Sequence, residues 1–253
     1  MIDLNSDLGE GYGAWKMGDD DALLAIVSSA NVACGFHAGD PQVMRRTVAT
    51  AVRSGVTVGA HVSYPDRRGF GRYDVKLPPS EVTDDVLYQI GALDAFARAA
   101  GTRVSYVKPH GALYNRIAVD RDLADAVVTA VREYDPGLAL LTLPGSAAAA
   151  AGEEAGIPVV AEGFADRAYT SDGRLVPRRE PGAVLTDPDL VAARAVRMAT
   201  EQIVTTIDGT DIPMPIASLC VHGDSPGAVR LAQAVRSGLT AADVAISPFA
   251  TGG

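Results

Sequence analysis

The sequence predicts an α/β fold in which seven strand–helix units close into one parallel barrel. Three features carry that expectation. Seven short apolar runs alternate with helical stretches along the 253 residues, without a linker-like or low-complexity break. Most of the runs are continuously apolar rather than alternating apolar with polar, which suits parallel strands covered on both faces. All four histidines, His37, His61, His110 and His222, stand at or just past the end of such a run. A barrel brings every strand end to one mouth, whereas an open doubly wound sheet concentrates chemistry at a single switch point. Candidate groups run from the first strand end to the last, which favours the barrel, as one domain spanning residues 1–253.

The strands are expected at residues 2–5, 31–34, 56–60, 104–108, 138–142, 157–161 and 217–221. Between them Asp40-Pro41 opens a helix, the Asp side chain capping free N–H groups and the Pro fitting the first helical position. Val43, Met44, Thr47, Val48, Ala51 and Val52 recur at helical spacing, and Gly55 stops that helix. Asp187-Pro188 and Ser225-Pro226 repeat the start, and Gly101 and Gly238 repeat the stop. Ser80 opens a longer helix whose Val82, Val86, Ile90, Leu93 and Ala97 form an apolar stripe, and the alanine run at 147–151 is a helix former. One stretch breaks the rhythm: residues 163–186 are long and polar. Within it Ser171-Asp172-Gly173 reads as a hairpin tip between 168–170 and 174–176. Connections this long inside compact domains serve as lids or binding loops.

Composition narrows the function. An apolar share of 47% is ample for a core, and 21% charged residues is ordinary for a globular chain. A formal net charge of -9 argues against nucleic acid or an anionic membrane as the main partner. An anionic small-molecule substrate would then need local Arg or Lys. Cys34 and Cys220 lie inside expected strands and read as buried thiols of a reducing compartment, with no paired Cys/His zinc spacing. Strand-like residues begin at Ile2 with acidic groups close behind, unlike a signal peptide, and no run of ~20 apolar residues could span a bilayer. The expected compartment is the cytoplasm. GxxxxGK[ST], GxSxG, HExxH and a GxGxxG after the first strand are all missing, so a nucleotide would be held without the common cradles or by a partner.

The first strand exits through Asn5-Ser6-Asp7-Leu8-Gly9-Glu10-Gly11, two carboxylates flanked by glycines that let a ligand approach the backbone. These residues also suit a plain turn, and the strand-end position favours function for Asp7 more than for Glu10. His37 lies in a Gly-bearing loop just before a helix start, where N–H groups attract an anion. His61 leads into a loop with Tyr64, Arg67, Arg68 and Arg72, of which one arginine at most is expected to hold an anion. Lys108 is one of three lysines and ends an apolar strand beside His110, so it is either neutralised by a carboxylate such as Asp7 or used on substrate. Tyr114 and Asn115 follow as polar contacts. Glu162 is a further strand-end carboxylate, Arg167 and Arg178 could fix an anion under the long loop, and His222 ends the last strand.

Several long phrases together resemble one family. They are Asp3-Leu4-Asn5-Ser6-Asp7-Leu8-Gly9-Glu10, Asn31-Val32-Ala33-Cys34-Gly35-Phe36-His37-Ala38-Gly39-Asp40-Pro41, Gly59-Ala60-His61, Gly69-Phe70-Gly71-Arg72, Val107-Lys108-Pro109-His110-Gly111-Ala112-Leu113-Tyr114-Asn115, Phe164-Ala165-Asp166-Arg167-Ala168-Tyr169 and Val221-His222-Gly223-Asp224. In this order and over the full length they resemble the LamB/YcsF family, with Val62 and Tyr73 departing from its usual proline and arginine. The resemblance implies an incomplete (β/α)7 TIM-like barrel of the glycoside hydrolase/deacetylase type. It also implies ATP-dependent hydrolysis of the cyclic amide 5-oxo-L-proline to L-glutamate, in a complex with 5-oxoprolinase subunits B and C. On that reading Asp7, His37, His61, Lys108 and His110 are the catalytic candidates. Lys108, with Mg²⁺, would meet phosphoryl oxygens, Asp7, His37 or His61 would activate water, and His110 would protonate the departing nitrogen. Asn5, Glu10, Tyr64, Tyr114, Glu162, Arg167, Arg178 and His222 are the candidate substrate or nucleotide contacts, Arg167 or Arg178 anchoring the carboxylate. No metal ligand is assigned, although an Asp7/His37/His61 set could hold one divalent ion, as in a metal-dependent deacetylase or amidohydrolase. A non-catalytic ligand-binding component, active only through its partners, is the remaining alternative.

Overall fold

The structure, a computed structural model, describes residues 1–225 and 227–250. Its strands are β1 (Asp3–Leu8), β2 (Ser29–Ala33), β3 (Thr57–Val62), β4 (Tyr106–Pro109), β5 (Ala139–Thr142), β6 (Val159–Phe164), β7 (Ile203–Thr205), β8 (Asp211–Pro213) and β9 (Ser218–Cys220). Seven of them close a parallel barrel in the order β1-β2-β3-β4-β5-β6-β9, as the sequence predicts. The helices are α1 (Asp20–Leu24), α2 (Pro41–Arg53), α3 (Pro79–Ala99), α4 (Gly111–Ile117), α5 (Arg121–Tyr134), α6 (Ala147–Ala155), α7 (Pro188–Glu201) and α8 (Ala228–Ala241). Asp40 and Asp187 cap α2 and α7 through their carboxylates, and the expected stripe of α3 is buried against the barrel. No helix among the described residues is long and apolar enough to cross a membrane.

Strand limits differ from the expected ones in one systematic way. β1 runs to Leu8, β3 to Val62 and β6 to Phe164, so Asp7, His61 and Glu162 lie within strands rather than on exit loops. Side chains alternate along a strand. In β1, Leu4 and Leu8 join the apolar core while Asp3, Asn5 and Asp7 make hydrogen bonds across the lumen. Polar residues that read as a turn are therefore the inward half of a strand facing a polar lumen. At the lower end Ser28 and Ser29 donate to Asp3 at 2.7 and 2.6 Å, and Ser218 also donates to it. Burial raises the Asp3 carboxyl, and the serine hydroxyls oppose that rise.

Other expectations are corrected locally. Gly238 does not end a helix: it lies inside α8, where a Cβ would come within 3.4 Å of Ala192 and Val196 of α7, so its small size lets the two helices approach. The Ser225-Pro226 start falls partly outside the described residues, and α8 begins at Ala228 after Gly227. The hairpin expected at 168–176 is a single antiparallel bridge, Tyr169 to Leu175, turned at Gly173. A second hairpin, β7–β8, was not expected, although Asp208-Gly209 is a common turn dipeptide.

Gly59 shows how tightly the lumen is filled. The Tyr106 ring lies across it, donating its hydroxyl to Asn31 Oδ1 at 2.7 Å, and a Cβ on Gly59 would stand 2.2 Å from that ring. The ring also packs on Phe249, at 4.9 Å between centroids. Replacing Gly59 with Ala must displace Tyr106 from the Asn31 bond. Urea unfolding of Gly59→Ala should show a stability loss of about 1–3 kcal/mol, the usual cost of overpacking; an unchanged midpoint would mean that the ring moves freely.

Candidate active site

Lys108 is the centre of the upper lumen. It is 2% exposed, and its ammonium lies 3.2 Å from Asp7 Oδ1, 3.0 Å from Glu162 Oε2, 3.2 Å from Asn5 Oδ1 and 3.1 Å from Cys220 Sγ. Asn31 ties the same group together, donating to Asn5 Oδ1 at 2.7 Å and Asp7 Oδ1 at 2.8 Å. Burial disfavours the ammonium, but Asp7, Cys220 and Glu162 more than offset that and hold its pKa well above the ordinary value. Asp7 shows the mirror effect: burial raises it, yet His61 and Lys108 bring it well below the usual carboxylate range. Asp7 Oδ1 takes the bonds from Asn31 and Lys108, leaving Oδ2 without a hydrogen-bond partner among the described residues.

Three histidines and Glu10 form a second buried group beside the first. His110 Nδ1 lies 2.9 Å from His61 Nε2, while His37 Nε2 lies 3.1 Å from Glu10 Oε1. The His37 and His110 rings stack at 3.9 Å, and His61 stands edge-on to both. Burial and neighbouring imidazoles hold His37 and His110 well below the ordinary histidine pKa, so both are neutral. Glycines make this packing possible. Gly9, at φ 67°, turns the chain after β1 so that Glu10 faces the imidazoles. Gly71, at φ 67°, passes so close that a Cβ would stand 2.7 Å from His110 and 2.8 Å from His37. Gly111 packs on it, with a Cβ position 2.5 Å from the Gly71 carbonyl oxygen, which accepts from Ala112 N at 2.9 Å.

A cavity of about 400 Å³ opens above these groups. Asp7, His61, Lys108, His110, Tyr114 and His222 line its polar side, and Leu143, Phe164, Leu175 and Val176 its apolar side. Arg72, Arg167, Arg174 and Arg178 also face it, a cationic rim in an acidic chain. Of the candidates, Asn5 and Glu162 lie in the lumen outside the lining, and Glu10 and His37 stand outside it beside His61 and His110. Tyr64 is not brought there: it is buried under the field of Asp74, Arg116 and Asp120, and burial with the Asp74 charge pushes its phenol up to about 12. Of the loop arginines only Arg72 lines the cavity, held by Asp224, whereas Arg67 lies over the Tyr12 ring. Arg167 clasps the long loop through the carbonyls of Ala183 and Val176, and burial with the like charge of Arg178 lowers it to about 10. Cys34 is inert, its thiol pushed up to about 12 by burial.

Sequence reasoning passed over Asp166 in favour of its neighbour Arg167. Asp166 is fully buried and accepts from His222 Nδ1, its oxygens at 2.9 and 3.0 Å, and from the His222 backbone N–H at 3.2 Å. Burial raises its carboxyl, but His222 and Arg178 bring it below the ordinary range. The pair is an oriented imidazole whose Nε2 is left for the cavity, the arrangement of a general acid or base. Phe164 stacks on the ring at 5.3 Å and fixes its plane. Only the placement of Asp166 two residues past β6 signalled it in the sequence.

The Lys108 cluster sets the first measurable consequence for this site. Lys108→Met leaves Asp7 and Glu162 buried without their cation, a change that costs about 3–5 kcal/mol at neutral pH. The depressed Asp7 pKa contributes stability that is present above its unfolded value and lost as pH falls through its folded value. The gap between wild type and variant in urea unfolding should therefore be widest near pH 7 and shrink as acid protonates the carboxylates. A gap that is absent, or that widens in acid, would contradict the assigned charges.

The sequence profile of the LamB/YcsF family matches residues 2–252. The chain is 58% identical over 250 residues to the A subunit of 5-oxoprolinase from Streptomyces avermitilis, covering 99% of this chain and 100% of the relative. It is 59% identical over 250 residues to the protein of the same name from Streptomyces griseus, with the same coverage. Among solved structures it superposes on the lactam utilization protein from Thermus thermophilus with a TM-score of 0.93 and 47% identity, over 98% of this chain and 99% of that one. Profile, identity and superposition each span nearly the whole chain, and the chain belongs to the LamB/YcsF family.

Proposed function

We propose that this chain is the lactam-binding, hydrolytic component of an ATP-dependent 5-oxoprolinase, opening 5-oxo-L-proline to L-glutamate in the cytoplasm together with subunits B and C. The observation that carries the reading is the meeting of Asp7, Lys108 and the Asp166-held His222 under an arginine rim, in a cavity with one apolar wall. Close relatives carry the name of the 5-oxoprolinase A subunit, which supports the substrate and the existence of partner subunits. A cavity of about 400 Å³ accommodates a five-membered lactam with room for a transferred phosphoryl group.

A γ-lactam amide is a poor electrophile, and ATP with Mg²⁺ supplies the drive by activating the amide oxygen. Cationic side chains fit that chemistry: Lys108 and Arg72 face the cavity where oxygen charge develops. Asp7 Oδ2 holds the attacking water and takes its proton as oxygen adds to the carbonyl carbon. A weak base suffices once that carbon is activated. The C–N bond then breaks, and the His222 imidazolium, stabilised by Asp166, gives its Nε2 proton to the departing nitrogen. Arg178 pairs with the substrate carboxylate. The ring carbon, left as an acyl phosphate, becomes the new carboxylate when a second water releases inorganic phosphate, and the nitrogen becomes the amine of glutamate.

Asp7→Asn and His222→Gln should each lower kcat of the assembled, ATP-supplied complex by about 10²-fold or more. The check is glutamate release from 5-oxoproline, with co-purification confirming that assembly persists. Turnover within twofold of wild type in both variants would remove these groups from the reaction.

A further inference from the structure

His61 and His110 are bonded so that, with both rings neutral, the nitrogens facing each other carry lone pairs. His61 Nδ1 lies 3.0 Å from the Lys108 carbonyl oxygen, and His110 Nε2 lies 2.8 Å from that of Phe70. A carbonyl only accepts, so both of these ring nitrogens donate. Two neutral rings then have no N–H left for His61 Nε2 and His110 Nδ1, which stand 2.9 Å apart, with Asp7 Oδ1 3.4 Å from His61 Nε2. Two lone pairs at that separation repel unless a positive charge joins them.

Glu10 Oε1 completes a triangle, 3.9 Å from His61 Nε2 and 3.5 Å from His110 Nδ1. With the third side at 2.9 Å, the circle through the three atoms has a radius of about 2.0 Å, the length of a zinc–nitrogen or zinc–carboxylate bond. We propose that Glu10, His61 and His110 form a binding site for one divalent transition-metal ion of the zinc class, bordering the cavity. Two histidines and a glutamate are a known ligand set for ions that keep an open coordination position. Here His61 and His110 line the cavity, so an ion held by them would border the substrate space.

One further feature fits the same occupant. Asp7 and Glu162 share the Lys108 ammonium, whereas the buried Glu10 has ion-pair contacts only to imidazoles among the described residues. His37 has a different part. Its ring is within 5° of parallel to His110 at 3.9 Å, and lone pairs of stacked rings run side by side rather than meeting at one ion. Its Nδ1 lies 2.9 Å from Ser63 Oγ, which donates to the Tyr64 carbonyl at 3.0 Å, and its Nε2 lies 3.1 Å from Glu10 Oε1. His37 is then a positioning residue that orients the carboxylate ligand.

Metal binding is read without partners, ATP or turnover, so it stands or falls apart from the function proposed above. The full chain, purified without affinity tag or chelator, is assayed for metal by mass spectrometry, then stripped and titrated with Zn²⁺ calorimetrically and with Co²⁺ by visible absorption. The expected result is one saturable site per chain, with Co²⁺ d–d bands characteristic of mixed N/O ligation. Glu10→Gln and His61→Gln should each weaken binding by about 10²-fold, and His37→Gln by about 10-fold or more. Circular dichroism confirms that each variant is folded, and a variant that is not is replaced by Glu10→Asp. No saturable binding up to ~0.1 mM Zn²⁺, or binding unaffected by Glu10→Gln and His61→Gln, would overturn the proposal, and a shared proton alone would then join the two imidazoles.

Discussion

A single buried ammonium organises the interior of this barrel. Lys108 is the only lysine in the lumen among the described residues, and it bridges carboxylates from β1 and β6. An ammonium this deep survives only because Asp7, Glu162 and Asn5 replace the water it has lost. The reverse also holds, since without the ammonium each carboxylate would be a buried charge with no cation beside it. Removing any member leaves the others uncompensated, so the cluster acts as one unit. It also fixes what the cavity above can do, because Asp7 and Lys108 reach the lining from within it.

That unit explains the polar character of the lumen. Parallel barrels commonly fill their interiors with branched apolar side chains. Here the inward positions of β1, β2 and β9 carry Asp3, Asn5, Ser29, Asn31 and Ser218, each hydrogen-bonded to a lumen neighbour. Apolar contact is moved to the outside of the sheet, where Leu4, Val32, Val58, Val107 and Leu219 join the helices in one core. Densely hydrogen-bonded polar networks are stiff, and stiffness is what placing charged groups within a few tenths of an ångström requires.

The same inversion decides what could be read from the chain. Helix starts at Asp40 and Asp187, the stripe of α3 and the barrel itself were legible because local rules govern them. Strand ends were not, because Asp7 and Glu162 look like turn residues until the opposite wall of the lumen is known. Lys108, His61 and His110 were legible as candidates from their place at apolar runs. Their grouping was legible in part: the sequence pairs Asp7 with Lys108, His61 and His37, and the structure keeps Asp7 at Lys108 and His61, whereas the turn at Gly9 brings Glu10 onto His37. Asp166 was hidden by a charged neighbour, and Tyr64 was drawn in by a histidine three residues away although its ring is buried elsewhere. Partnerships across a barrel are decided by register and loop direction, which no local pattern records.

The contact between Gly71 and Gly111 makes the loops after β3 and β4 one body, backbone against backbone with imidazoles wedged beneath. That side of the mouth cannot hinge without disturbing His37 and His110. The long loop on the far wall of the cavity is held by the Arg167 guanidinium on the carbonyls of Val176 and Ala183 and by backbone bonds from Ala168 N–H to Ala183 and from Leu185 N–H to Asp166. That loop also carries Arg174 and Arg178 to the cavity wall, so one tethered segment supplies two guanidinium groups to any anion lodged there.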